Sequence, residues 1–276
     1  MWVAEDDHGL VGVRVFLRWR FTTPTGATAQ AVRAVDTATH PRAQGRGIFT
    51  RLTRAAVQEL STEGVDFVFN TPNDQSRPGY LKMGWQVVGR VPIVVRPHGP
   101  RGAWAMSRAR VPAAKWSQPS PAGRPALDAL ADPAALDELL AATAPAGLAT
   151  DRTVAHLRWR YGFAPLHYRA VVAPGGLAHG LAVFRVRARG RAREATVCEL
   201  LAPDAATARG LLHQVSAATG ADYLIATPSG HPPWAQRVVP LPRQGPILTW
   251  RGLTADDDAA PPLADWNLAL GDIELF

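Results

Sequence analysis

The residues best suited to chemistry lie between Val32 and Trp85. Gln44-Gly45-Arg46-Gly47 stands between an extended run, Val32 to Thr39, and a run with Ile48, Leu52, Ala56 and Leu60 on one helix face. Gly64 is placed to end that helix. The first N–H groups of a helix lack partners and its macrodipole is positive there, so glycines at that joint let a phosphate reach the backbone. Arg42 and Arg46 add positive charge at the same place. Two familiar phosphate loops are excluded. A Walker A loop needs Lys-Ser/Thr where Ile48-Phe49 stands, and only Gly45-x-Gly47 of the dinucleotide fingerprint is present. Strand alternation sets Asp36 beside Val32, Ala34 and Ala38, a face expected to be partly covered, which raises a carboxylate pKa.

A second stretch, residues 65–89, has an apolar strand from Val65 to Phe69, a break at Thr71-Pro72-Asn73, and then Tyr80-x-x-x-Gly84-Trp85. Gln44-Gly45-Arg46-Gly47-Ile48-Phe49 resembles motif A of the GNAT acyltransferases, Gln/Arg-x-x-Gly-x-Gly/Ala, and the second stretch resembles their motif B. Phe49 departs from the Gly or Ala of that pattern, which implies a rearranged or wider loop rim. The resemblance implies an α/β (α+β) fold with a central mixed, mostly antiparallel sheet flanked by helices. It implies acetyl-CoA as co-substrate, held by Gln44, Gly45, Arg46, Gly47, Ile48 and Phe49, with Ala38, Thr39, Asn73 and Ser76 as further contacts. Backbone N–H groups near Thr37 would polarise the thioester, Tyr80 would act as general acid to the thiolate, and Asp36 as a base working through water. The acceptor would be a primary amine, and no metal is called for. Each residue has a plainer role beside this one. Tyr80 could be a packed aromatic, Asn73 a turn-former, Asp36 a structural acceptor, Ser76 a cap for the helix leading to Tyr80, and His40 a turn residue. Glu5 is a weaker candidate base.

The composition bounds these readings. The chain has 276 residues, a formal net charge of +7 and 47% hydrophobic residues. Lys82 and Lys115 are its two lysines, so 28 of the 30 basic residues (30 less 2) are arginine, a bias typical of a GC-rich genome. The arginines are scattered, apart from Arg185 to Arg193 on an expected hairpin whose charges read as a solvated face. No recognisable nucleic-acid module accompanies them, which argues against a nucleic-acid partner. No apolar run approaches the ~20 residues of a membrane span, and the acidic opening Glu5-Asp6-Asp7 is unlike a signal peptide, so a cytoplasmic protein is expected. A single cysteine, Cys198, excludes an internal disulfide framework and a Cys-rich zinc site and reads as a core thiol.

Three segments organise the chain: residues 1–96 as the acyl-CoA-binding GNAT domain, a proline-rich linker at 97–125, and residues 126–276. The first opens with a short strand and a long one, Leu10 to Phe21, with Val11, Val13, Val15 and Leu17 on one face and Arg14, Arg18 and Arg20 on the other. It thus opens inside the family's strand meander. The elements that normally precede it and help bind the acceptor are expected to be missing or supplied elsewhere. Trp104 and Trp116 suggest that the linker lies against a surface. From residue 126 the order helix, helix, three strands, helix, strand resembles a second, diverged copy, as in tandem-GNAT and Fem-like proteins. Leu200-Leu201-Ala202-Pro203-Asp204-Ala205 stands where motif A belongs, and Asp204 favours a helix cap and repels a pyrophosphate. Two alternatives accompany the acetyltransferase reading: a catalytically silent acyl-CoA-binding or regulatory protein, and a Fem-like aminoacyltransferase.

Overall fold

The computed structural model describes residues 1–228, 230–254 and 259–274. The first stretch of chain forms strands β1 (Trp2–Asp6), β2 (Gly9–Thr22) and β3 (Thr28–Thr39), helix α1 (Ile48–Thr62), strand β4 (Phe67–Asn70), helix α2 (Arg77–Lys82) and strands β5 (Gln86–Arg90) and β6 (Val94–Pro97). Helix α3 (Gly99–Arg108), a short strand β7 (Arg124–Pro125) and helices α4 (Ala126–Ala129) and α5 (Pro133–Ala142) follow. Then come β8 (Leu148–Thr150), α6 (Val154–Tyr161), β9 (Arg169–Ala173), β10 (Gly176–Arg189), β11 (Ala192–Leu201), α7 (Ala205–Thr219) and β12 (Tyr223–Ala226). The chain closes through α8 (Pro233–Gln236), β13 (Val239–Pro240), β14 (Ile247–Gly252), β15 (Trp266–Asn267) and α9 (Leu270–Ile273).

Among the described residues these strands form two mixed sheets. One runs β15-β8-β2-β3-β4-β14-β5 with β1 paired to β2; the other runs β13-β6-β12-β11-β10-β9-β7. Each sheet has the same kernel: two long antiparallel strands, a crossover helix, and a short strand parallel to the second long one. In the first, β3 runs parallel to β4 through α1; in the second, β11 runs parallel to β12 through α7.

The sheets also exchange strands. β14 lies between β4 and β5, with Trp250 opposite Phe69 and Gln86. Reciprocally, β6 lies beside β12, with Val95 opposite Ile225 and Val239. Residues 1–96 and 126–276 are therefore a division of the chain and not of the sheets: β8, β14 and β15 of the later stretch enter the first sheet, and β6 of the earlier one enters the second. The exchange buries Trp250, Leu248, Val94 and Val95, each at most 2% exposed, so separating the halves would expose two strand edges and both apolar inserts.

The segment between the halves is more ordered than its prolines suggest. α3 packs Ala105 and Met106 against Val95 and Tyr223. Gly102 touches the second sheet so closely that a Cβ there would stand 2.0 Å from the Asp222 carbonyl. That contact anchors the segment. Trp104 and Trp116 do not: both rings are more than half exposed, flanked by Arg108 and Lys115.

The seam between the second sheet and the segments that follow β8 and β15 of the first sheet is ionic. Arg152 lies between Glu199 (3.0 Å) and Asp272 (2.9 Å), with all three side chains at most 8% exposed. Arg185 pairs with Glu274, and Arg187 with Glu194. The β10–β11 hairpin is present, but Arg185 is buried rather than solvated, because the chain's last described residues lay Glu274 against it. Cys198 is fully buried beside them, and burial drives its thiol pKa well upward, as for a core thiol. No helix of the described residues is long and apolar enough to cross a membrane.

Candidate functional site

β3 and β4 pair only from Ala31–Arg33 to Phe67–Phe69, and beyond that point they diverge. The divergence opens a cleft of about 570 Å³ whose walls include Ala34, Asp36 and Thr37 on one side and Asn70, Asn73 and Ser76 on the other. A bulge shapes the β3 wall. Arg14 faces Thr37 and Phe16 faces Ala34, so Val35 and Asp36 together stand opposite the single residue Val15. The extra residue interrupts the β2 ladder there, while on the other edge the parting of β4 beyond Arg33 leaves the backbone groups of β3 that face the cleft without a β4 partner.

The bulge also resets side-chain alternation, which corrects the expectation for Asp36. Val32 and Ala34 are buried at 0% and 4%, but Asp36 is exposed at the cleft wall rather than on a covered face. Glu5 is exposed on β1.

At the open end of β3 the chain turns through Pro41–Ala43. His40 serves that turn, its Nδ1 accepting from the Arg42 N–H at 3.3 Å. Gln44 braces the loop to β3, donating to the Thr39 carbonyl at 3.5 Å; Ala38 and Thr39 end the strand opposite Val13 and Gly12. Gly45 and Gly47 have φ of +76° and +71°, the left-handed region that favours glycine, and no atom lies within 4 Å of where a Cβ would stand. Gly47 is the N-cap of α1 with no side-chain cap, and the first turn holds no acidic residue. The helix thus presents N–H groups without side-chain partners to open space, the arrangement that receives phosphate oxygens. Arg46 is exposed beside it, whereas Arg42 is held by Asp6 at 2.9 Å. The N–H donated by His8, then Arg42, hold the Asp6 carboxyl below its ordinary range. Ile48 turns its side chain into a small core with Val11 and Ala43, so it can offer the loop its amide alone.

Phe49, the departure in motif A, points inward. Its ring meets Tyr80 edge-on at 5.5 Å, and its Cε1 would stand 3.2 Å from a Cβ at residue 79, where Gly79 leaves room. Tyr80 is 3% exposed, and its ring also meets Trp85 at 5.2 Å. Burial raises the Tyr80 phenol pKa, while neighbouring Arg14 opposes the rise. Asn73 rather than Ser76 caps the turn before α2. Its Oδ1 accepts the Ser76 N–H and hydroxyl, both at 2.9 Å, because Ser76 already has helical backbone angles and cannot cap itself. Asp36, Asn73 and Ser76 thus line one cleft, the Gly45–Gly47 turn follows the strand that forms one of its walls, and the Phe49–Tyr80 pair packs behind it in the core.

Arg14 is the residue that reading by alternation misplaced. Arg18 and Arg20 are exposed, but Arg14 is 0% exposed, with its guanidinium against Phe16, Phe49 and Tyr80. The aromatic residue at position 49 is the one hint of it in the sequence.

The second sheet repeats the divergence. β11 and β12 pair over Glu194–Thr196 and Tyr223–Ile225, then part to leave about 280 Å³ bordered by Arg152, Glu199, Pro203 and His231. Here Asp204 caps α7, accepting the Thr207 N–H at 2.8 Å, and that bond holds its carboxyl below the usual range. Among the described residues no group of three or more His, Cys, Asp or Glu could hold a metal ion.

Residues 1–88 match the acetyltransferase (GNAT) domain family. The chain superposes on a GCN5-related N-acetyltransferase from Kribbella flavida with a TM-score of 0.59 and 17% identity, covering 90% of this chain and 59% of that one. A GCN5-related N-acetyltransferase from Anabaena variabilis gives 0.61 and 12%, covering 91% and 62%. Eis1 from Mycobacterium abscessus gives 0.56 and 17%, covering 91% and 63%. No curated protein matches in sequence. At these identities the likeness is one of fold, and the chain spans about three fifths of the length of each structure.

Proposed function

With residues 1–88 a GNAT acetyltransferase domain, we propose that this protein transfers an acetyl group from coenzyme A to a primary amine, with the cofactor cleft in residues 1–96 and a second, diverged GNAT-like unit in residues 126–276. The observation that carries the proposal is the Gly45–Gly47 turn. It is open, left-handed and uncapped, and it joins β3, one wall of the cleft, to the N-terminus of α1.

In this reading the pyrophosphate lies on the amides from Gln44 to Phe49, with Arg46 beside it, and the pantetheine arm enters the cleft past Ala38 and Thr39. Asn73 faces the arm from the α2 side. When the amine attacks the thioester carbonyl, free N–H groups of β3 at the cleft face the developing oxyanion. Asp36, exposed on the cleft wall, accepts the amine proton through water. The carbon–sulfur bond then breaks, and Tyr80 gives its proton to the sulfur. The catalytically silent reading draws on the same cleft and on the enclosure of Tyr80 by Phe49; it differs in one outcome, binding without thiol release.

Calorimetric titration of acetyl-CoA into the protein and into Gly47→Glu tests the proposal. The substitution places a side chain in the left-handed region and a negative charge where the pyrophosphate would lie. Affinity should fall at least about 100-fold, close to 3 kcal/mol. Equal affinity in a folded variant would remove the loop from the site, and no binding to the parent protein would end the acetyl-CoA reading. A screen of primary amines for thiol release then separates transfer from silent binding.

A further inference from the structure

Arg14 has a surrounding that core packing alone does not explain. Its side chain is 0% exposed, yet Nε, Nη1 and Nη2 make no well-formed hydrogen bond, and the Tyr80 hydroxyl is the polar group that acts on it most strongly. In place of carboxylates or carbonyls it meets three aromatic rings, with Cζ 4.4 Å from the Phe16 centroid, 5.4 Å from Tyr80 and 5.7 Å from Phe49. Ring faces attract a cation, but they satisfy none of its five N–H donors. A buried guanidinium without a carboxylate partner is costly, and Met or Leu would fill the same space with no charge to desolvate.

We propose that Arg14 is a positioning residue for proton transfer, whose charge beside the Tyr80 phenol, with no carboxylate to neutralise it, favours loss of the phenol proton to the departing sulfur. The inference rests on the acetyl-transfer reading of the Tyr80 site. Breaking the carbon–sulfur bond leaves the electron pair on sulfur. The Tyr80 O–H proton goes to that sulfur, giving coenzyme A thiol and a phenolate at Tyr80. That phenolate would be poorly solvated among Phe49 and Trp85, and Arg14 is the cation set to receive its charge. The proton that Asp36 takes from the amine returns to the phenolate through solvent, which restores both groups.

The other charges around Tyr80 do not substitute for Arg14. From α1 the phenol meets the uncharged Phe49. On α2, Arg77 pairs with Asp74 at 2.9 Å, and Lys82 lies at the exposed end of the helix. From β14, Arg251 covers the Trp85 ring at 5.1 Å and donates to the Met83 carbonyl. Burial lowers the Arg14 pKa, and Tyr80 and then Asp36 of β3 oppose that by favouring its charged form. The β3 bulge sets this geometry, because it places Arg14 opposite Thr37, where the strand borders the cleft.

Difluorotyrosine at position 80 tests the proposal. Its intrinsic pKa is below that of tyrosine, which brings the titration into the range of the folded protein. Its fluorine resonance reports position 80 apart from Tyr161, Tyr168 and Tyr223. In Arg14→Met the midpoint should rise by about one pH unit or more, a tenfold change in the proton equilibrium, and Arg14→Lys should restore most of it. Where Arg14→Met does not fold, Arg14→Gln removes the charge while keeping a polar side chain. An unchanged midpoint in a folded, charge-free variant overturns the proposal. The titration uses no coenzyme A, so failure of the acetyl-transfer reading would appear in the calorimetry and leave this midpoint in place.

Discussion

The two halves contain the same cleft in different states. In the first, β3 and β4 part around about 570 Å³, and an uncapped glycine turn stands at the start of α1. In the second, β11 and β12 part around about 280 Å³. There an Arg–carboxylate cluster borders the opening and an aspartate occupies the start of α7. One strand–helix–strand unit can therefore leave its polar groups free for a ligand or tie them together. The first use suits binding, and the second joins two sheets.

The largest effect should come from breaking the tied cleft. Arg152→Met leaves Glu199 and Asp272 buried without their shared cation, which costs about 3–5 kcal/mol. For a chain of this size the melting temperature should drop by roughly 10 °C. Acetyl-CoA affinity measured well below the transition should stay at the parent value. A loss of affinity alongside stability would mean that the seam and the first cleft are not separable.

Next comes the aromatic part of the seam. His156 on α6 packs edge-on against Trp19 of the first sheet at 5.1 Å, and desolvation lowers its pKa from 6.5 to about 4. A folded-state pKa below the unfolded one means that the unfolded chain binds the proton more tightly. The associated stability is complete above pH 6.5 and declines as pH falls toward 4, by up to about 3 kcal/mol. His156→Phe should remove that portion of the acid dependence. Denaturant unfolding at pH 7 and pH 4.5 measures it; an equal loss of stability in parent and variant would assign the acid sensitivity to other groups.

Much of the open cleft was legible in the sequence, because local rules govern it. Gly45, Gly47 and Gly64 bracket α1, and each has a positive φ. Asp204 was equally legible as a cap. The strand exchange was not. Val94–Val95 and Leu248–Trp250 are apolar whichever sheet they enter, and their partners lie more than a hundred residues away. Nor was the β3 bulge: one extra residue reverses alternation, exposing Asp36 and setting Arg14 opposite Thr37 at the cleft. The Arg185 pairing was hidden for a third reason. A strand arginine reads as solvated until another part of the chain, here Glu274, covers it.

The smallest effect bears most directly on the difference between the two helix starts. Asp204→Ala removes the N-cap of α7, including its bond from the Thr207 N–H at 2.8 Å, and should cost about 1 kcal/mol. It also removes the negative charge that repels a pyrophosphate. If charge alone distinguished the clefts, acetyl-CoA would now bind at a second site. The backbone argues against this outcome. Pro203 lacks an N–H, Asp204 is extended at φ −148°, and no left-handed glycine precedes α7 as Gly45 and Gly47 precede α1. The loop would therefore still lack the converging N–H groups that receive phosphate oxygens. Calorimetry of Asp204→Ala should show the parent stoichiometry for acetyl-CoA together with the small loss of stability. A second binding event would show that one carboxylate, rather than the shape of the turn, keeps the second cleft closed to the coenzyme.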